Sequence, residues 1–262
     1  MCLVKNGGNN VAVFYLKFGF SGGKSINITM KYAEVGIACN LDQDCLDLYG
    51  CPNNIAPNFC IKRYDTQPSF KISVEDCGGV IDFTDEDLVL EANMWAKAKL
   101  KINISESDDY LSFADNIGFF QVMQNDIIVI DKTRTIEHML VIGFDESNNK
   151  IEVQRGYNGT VAQSWKKGSS VRILRLMDSP AQIESVYEDV LQPSDGTVLQ
   201  NQLSQTLFVY NWQENSTHLP GCYWFEFKLI KMSNSSVEWT RRFPSSDEGF
   251  LIRIIDSPTK EL

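Results

Sequence analysis

Residues 207–258, LFVYNWQENSTHLPGCYWFEFKLIKMSNSSVEWTRRFPSSDEGFLIRIIDSP, read as four consecutive strands of one closing sheet system. Phe208, Tyr210 and Trp212 alternate along the first strand, and Tyr223, Phe225, Phe227 and Leu229 along the second, where Trp224, Glu226 and Lys228 take the opposite side. Successive side chains of a strand point to opposite faces, so a period of two marks a strand with one face in a core. The breaks are equally legible. Leu219-Pro220-Gly221 is a turn, Ser233-Asn234-Ser235-Ser236 a polar hairpin loop, and 244–249 a second loop before a last apolar strand.

Upstream, the same rhythm returns in two separated places. Phe70, Ile72 and Val74 alternate, Gly78-Gly79 turns the chain, and 88–100 runs on with Ala92, Met94, Ala96, Ala98 and Leu100 on one parity and Trp95, Lys97, Lys99 and Lys101 on the other. By propensity alone this alanine-rich run also suits a helix. Alternation resumes over 182–191, before a turn at 193–196. Between these places, 105–177 has its own pattern. Ser105-Glu106-Ser107-Asp108 suits the start of a short helix with Leu111, Phe113 and Ala114 as its apolar face. Short apolar segments follow at 122–124, 127–131, 139–144, 151–154 and 171–175, and the turn at 145–149 gives a strong hairpin signal. Such spacing fits a small β-barrel.

The first 66 residues differ again. Two alternating segments, 11–20 and 26–32, form a β-hairpin or arm, which has little local core and is expected to need a neighbouring subunit. Cys39, Cys45, Cys51 and Cys60 then stand among Asp42, Asp44, Asp47, Pro52 and Pro57 in a loop-rich clip. The expected architecture is therefore all-β. It has an immunoglobulin-like sandwich from 67–104 plus 178–258, a small barrel inserted at 105–177, and an N-terminal arm and cysteine-containing clip at 1–66.

Composition narrows the function. The chain has 262 residues, 43% of them apolar, so it can bury a substantial core. A net charge of −10 argues against nucleic acid and anionic membranes as partners, because phosphate recognition needs clustered Lys and Arg. Residues 1–10 carry no leader pattern, and no apolar run is long enough to cross a bilayer. Asn-x-Ser/Thr sequons at Asn27, Asn103, Asn158, Asn215 and Asn234 are read as chance in an Asn- and Ser-rich chain.

Candidate chemistry is sparse. The only histidines are His138 and His218, and no Gly-x-Ser-x-Gly occurs, so a Ser-His-Asp hydrolase has no signature. Asp85-Glu86-Asp87 and Asp108-Asp109 read as solvated acidic corners rather than paired glycosidase carboxylates. Arg155-Gly156-Tyr157-Asn158-Gly159-Thr160 contains a Gly-x-x-Gly pair, but it lacks the Lys-Ser/Thr and helix start of a phosphate loop. Its structural reading has glycines at positive φ, Tyr157 packed, and Arg155 bonded to loop carbonyls. Three states stay open for Cys39, Cys45, Cys51 and Cys60: free thiols, a structural zinc site, or disulfides. Cys2, Cys77 and Cys222 read as small packing residues. The tryptophans, Trp95, Trp165, Trp212, Trp224 and Trp239, exceed what one sandwich core needs; outward ones suit subunit interfaces or sugars.

The closing stretch also resembles a known module. A Tyr/Trp strand precedes a Thr-x-x-Pro-Gly-x-Tyr turn at 217–223, the acidic strand around Glu226-Phe227, an Arg-x-Phe-Pro corner at 241–244 and Gly-Phe-Leu-Ile-x-Ile at 249–254. In this order they resemble the N-terminal immunoglobulin-like domain of phage upper baseplate proteins. That module places an Asp-Leu-Thr segment before an extended strand, as Asp82-Phe83-Thr84 stands before 89–100 here, which decides for a strand over a helix. The resemblance covers roughly 68–258, apart from the insert and the cysteine-bearing N-terminus. The Arg-Gly-Tyr-Asn-Gly-Thr element is similar to one recurrent in small barrels of tailed-phage virion proteins. Together they imply a non-enzymatic tail, baseplate or fibre-adaptor protein, synthesised in the host cytoplasm and located in the virion. Its partners would be other virion proteins and copies of itself in a symmetric ring or collar. The alternative is a carbohydrate-binding receptor module of a phage tail.

Overall fold

The computed structural model describes residues 14–19, 25–32, 59–67, 69–76, 79–83, 87–114, 121–132, 135–175, 177, 180–192, 197–244 and 249–256. Cys2, Cys39, Cys45, Cys51 and Cys77 lie outside them. The fold is all-β: the described residues contain strands, turns and one 3-10 turn at Glu146–Asn148, with no α-helix.

Two sheets form a sandwich. In the first, β1 (Phe14–Gly19), β2 (Ser25–Tyr32), β4 (Phe70–Asp76), β13 (Val198–Tyr210) and β12 (Gln182–Leu191) lie side by side in that order, and β5 (Gly79–Val80) pairs with β4. The second sheet begins with β3 (Phe59–Lys62), β16 (Phe250–Ile255), β14 (Gly221–Ser233) and β6 (Leu88–Lys99), with β15 (Ser236–Phe243) paired to β14. The four closing strands are therefore split between two sheets: β13 lies in the first, and β14, β15 and β16 in the second. A single sheet would leave both aromatic faces without a partner; splitting the strands lets one cover the other. Thus Phe70 of β4 meets Phe225, Phe227 and Phe250 at ring separations of 5.0, 5.8 and 5.5 Å, and Phe208 of β13 meets Phe243 at 5.1 Å. Trp212 closes this core against Phe59 and Tyr210. Beside it, the Tyr223 hydroxyl reaches back to the Leu219 carbonyl at 3.0 Å, which pins the Pro220-Gly221 turn to the strand that follows.

Two N-terminal expectations change. The hairpin β1–β2 pairs through β2 with β4 of its own sheet, antiparallel from Ile28 opposite Asp76 to Tyr32 opposite Ile72. The free edge of β4 offers unpaired backbone groups, so the hairpin finds its support within the chain. Within the segment read as a loop-rich clip, Phe59–Lys62 is a strand, parallel to β16.

The second sheet continues past β6 into a closed ring. Met94 through Lys99 pair with β11 (Ser170–Arg175), which pairs in turn with β8 (Ile127–Lys132). From there the order runs through β9 (Thr135–Asp145) and β10 (Lys150–Tyr157) to β7 (Tyr110–Leu111). The Leu100–Phe113 bridge and the bonds Lys101 N to Ser112 O and Ala114 N to Lys99 O, each 2.8 Å, join the far edge back to the end of β6. One cluster of buried apolar side chains fills both bodies, from Phe59 and Phe227 to Ala98, Met139 and Val153. Small Ala92, Ala96 and Ala98 let β6 pass between them. The expected helix after Ser105 is instead a turn, with Ser105 N donating to Asp108 Oδ2 at 2.6 Å. Leu111 and Phe113 are both buried, and Tyr110–Leu111 pairs antiparallel with Ile151 and Glu152 as a short strand.

Candidate functional site

The sharpest motif, 155–160, leaves the end of β10, where pairing with β9 is interrupted between Gln154 and Tyr157. Gly156, Asn158 and Gly159 have φ values of 65°, 53° and 74°, in the left-handed region that glycine and asparagine tolerate best. The loop closes on itself: Thr160 N and Thr160 Oγ1 both donate to the Tyr157 carbonyl, at 3.2 and 2.8 Å. A Cβ on Gly156 would stand 2.9 Å from the Thr160 carbonyl oxygen.

Arg155 turns inward from this loop. Its Nε donates to Glu137 Oε1 at 2.6 Å, and Nη2 donates to Glu137 Oε2 at 3.0 Å and to the Gln163 carbonyl at 2.6 Å. Nη1 donates to the carbonyls of Ser105 and Asp108 at 2.7 and 2.6 Å. All five guanidinium N–H groups are thereby used. Glu137, fully buried, also accepts from Gln163 N at 3.0 Å and Trp165 Nε1 at 2.7 Å. Burial alone would raise the Glu137 pKa. The bonds from Arg155, Trp165 and Gln163, with the Arg155 charge, outweigh it and hold the carboxyl below its usual range. The guanidinium keeps no free N–H for a phosphate, and the carboxylate, with one donor on Oε1 and three on Oε2, is closed off from solvent. The work of the pair is to tie β9, the 105–108 turn and the 163–165 segment together.

A second polar lock lies where barrel meets sandwich. Arg175 Nε stands 3.3 Å from Asp126 Oδ1, both side chains buried, and Arg175 Nη2 donates to the Gln121 carbonyl at 2.9 Å. The Arg175 guanidinium lies 5.8 Å from the Tyr223 ring centroid, so it bridges a barrel strand to the sandwich. Neither lock was visible as a motif, because Glu137, Asp126 and Arg175 come from separate segments and carry no local spacing signal.

The outer face of the second sheet holds a third cluster. Trp224 stands opposite Leu251 on one side and Trp95 on the other, and all three are buried with Cys222. Lys97 places its Nζ 4.2 Å over the Trp224 ring. Cys60 and Cys222 are disulfide-bonded. Cys222 is therefore more than a packing residue, and Cys60 has no thiolate to give a zinc site. Among the described residues no group of three or more His, Cys, Asp or Glu side chains is gathered for a metal.

Trp95, Trp165, Trp212 and Trp224 are buried, each in a cluster or core, and Trp239 is half-buried beneath Arg241 at 4.8 Å. None of the five tryptophans is exposed, and Trp239 itself packs against the core cluster, so the expected surplus of outward tryptophans is not found. His138 and His218 fall in barrel and sandwich respectively. The His218 ring packs on Tyr64, and burial, with the nearby Arg63 and Arg175 charges, lowers its pKa. Asp108 is engaged in its own turn with Ser105, which holds its carboxyl below the usual range.

One group of the exposed apolar residues lies on β12 and β13, apart from others such as Val161 and Val237. β13 pairs with β4 only from Leu207 to Tyr210, whereas β12 and β13 pair from Gln182 and Val209 out to Leu191 and Val198. Among the described residues the outer half is thus a two-stranded ribbon. Tyr187, Leu191 and Val198 on it are 47%, 62% and 51% exposed. Compared with known protein families and with curated protein sequences, the chain matches none.

Proposed function

We propose that this protein is a non-enzymatic structural component of a tailed-phage virion, a tail, baseplate or fibre-adaptor protein that works by binding copies of itself and other virion proteins. The observation that supports assembly most directly is the β12–β13 ribbon, which extends past its sheet with Tyr187, Val190, Leu191 and Val198 exposed. A two-stranded ribbon is marginally stable alone, and exposed apolar side chains on it gain by burial against another surface. Among the described residues β12 is the end strand of its sheet and β13 has no ladder but that with β12 before Leu207, which leaves β-edges suited to pairing with a further strand. The polar groups best placed for chemistry, Glu137 and Arg155, are consumed internally, in keeping with a scaffold. The net charge of −10 fits protein partners rather than nucleic acid.

The test is association state and particle content. The purified full chain should form a defined multimer in light scattering, and Leu191→Asp with Val198→Asp should convert it to monomer with an unchanged far-UV spectrum. Mass spectrometry of purified phage particles should find the chain at a fixed copy number. A chain that stays monomeric at every concentration and is missing from such particles removes this reading.

A further inference from the structure

Strand β16 separates the two disulfide-bonded cysteines. Cys60 on β3 and Cys222 on β14 both stand opposite Arg253, one on each side. Both ladders run in unbroken register there, from Phe59 to Lys62 and from Gly221 to Phe225, so no bulge draws the outer strands together. Their Cα atoms are accordingly two strand spacings apart, about 9.5 Å. A disulfide holds its Cα atoms within about 4.4–6.8 Å. Cys60 and Cys222 therefore cannot be bonded to each other, although directly opposed residues share one face and both are buried on it.

We infer that Cys60 and Cys222 belong to two separate disulfides, each completed by a different one of the other five cysteines, Cys2, Cys39, Cys45, Cys51 and Cys77. The consequence is a double covalent anchor on the outer face of the second sheet. The two anchor points flank Arg253, and Cys222 packs in the Trp95–Trp224–Leu251 cluster. Seven cysteines make an odd number, so at least one remains a thiol when all possible pairs have formed.

This assigns the chain a maturation step. Each bridge forms by attack of one thiolate on a disulfide-class oxidant and displacement by the second; the two thiols give up two protons and two electrons, and the oxidant leaves as its reduced dithiol or thiol pair. The reaction that must act on the newly made chain is thus thiol–disulfide exchange, twice, in a compartment or external medium where oxidised disulfide is in supply. The inference rests on strand register and stands independently of the virion assignment.

The experiment is a disulfide map of the full chain, produced in a glutathione redox buffer, alkylated without reduction, digested and analysed by mass spectrometry. The peptides bearing Cys60 and Cys222 should appear in cross-links to two different cysteines among the other five, neither should carry the alkyl group, and at least one of those five should carry it. A direct Cys60–Cys222 cross-link, or substantial alkylation of either residue before reduction, overturns the inference.

Discussion

Replacing Glu137 by Gln keeps the shape of the buried side chain and removes its charge, which isolates what the carboxylate contributes. The wild-type group receives four donors, from Arg155 Nε and Nη2, Gln163 N and Trp165 Nε1, at 2.6–3.0 Å. A glutamine has one oxygen for them, and its NH2 faces at least one donor head-on. The Arg155 guanidinium, itself almost wholly buried, then loses its counter-charge. Breaking a buried ion pair in this way costs about 3–5 kcal/mol. For a domain somewhat smaller than this chain each kcal/mol moves the melting temperature by about 2–4 °C, so Glu137→Gln should melt about 6–20 °C lower. Scanning calorimetry and urea unfolding would measure it, with Arg155→Met and the double variant Glu137→Leu/Arg155→Met completing a cycle. The double variant should be less destabilised than the sum of the singles, because it leaves no lone buried charge. A Glu137→Gln shift under about 2 °C, or strict additivity, would mean that solvent reaches the pair and that it does not organise the loop.

Other outcomes follow from the same geometry. The folded-state pKa of Glu137 is depressed below its usual 4.5, so the stabilisation is complete above that value and is lost as pH falls through the folded value. The gap in stability between wild type and Glu137→Gln, followed by urea unfolding, should narrow from pH 7 to about pH 3; a gap that widens refutes the sign. Gly156→Val places a β-branched residue at φ 65° with its Cβ 2.9 Å from a carbonyl oxygen, and should lower solubility and stability sharply, by well over the roughly 1–2 kcal/mol of the left-handed backbone alone. Gly159→Ala, at φ 74° with open space around its Cβ, should lose only about that backbone cost, and equal losses would remove the steric argument. Asp126→Asn strips the charge from the partner of Arg175 and should cost about 3–5 kcal/mol in thermal unfolding, whereas Asp131→Asn, at the exposed pair with Arg172, should cost no more than about 1 kcal/mol.

The strands of both bodies were legible because their packing is local to each strand. Alternation along Tyr223–Leu229 and Ala92–Leu100 depends only on which face meets a core, and that pattern survives in one dimension. The hairpin around 145–149 was readable for the same reason. What could not be read was the assignment of strands to sheets: β13 looks like its neighbour β14 in sequence, and only the need to oppose Phe70 and Phe208 to Phe225 and Phe227 separates them. The strand at Phe59–Lys62 was hidden because four residues, nearly all buried, show no alternation. The internal role of Arg155 was anticipated from the missing phosphate-loop partners, but its carboxylate lies eighteen positions earlier on another strand and carries no mark of the pairing.

Strand β6 also has a mechanical meaning. One continuous run from Leu88 to Lys99 is bonded to β14 over its first part and to β11 over its last, overlapping at Met94 and Trp95. A pull along that strand loads both ladders in shear, where many hydrogen bonds resist together, and there is no linker between the two bodies at this crossing for the barrel to swing upon. Tension applied along β6 at the barrel end is therefore delivered to the sandwich as a rigid strut would deliver it.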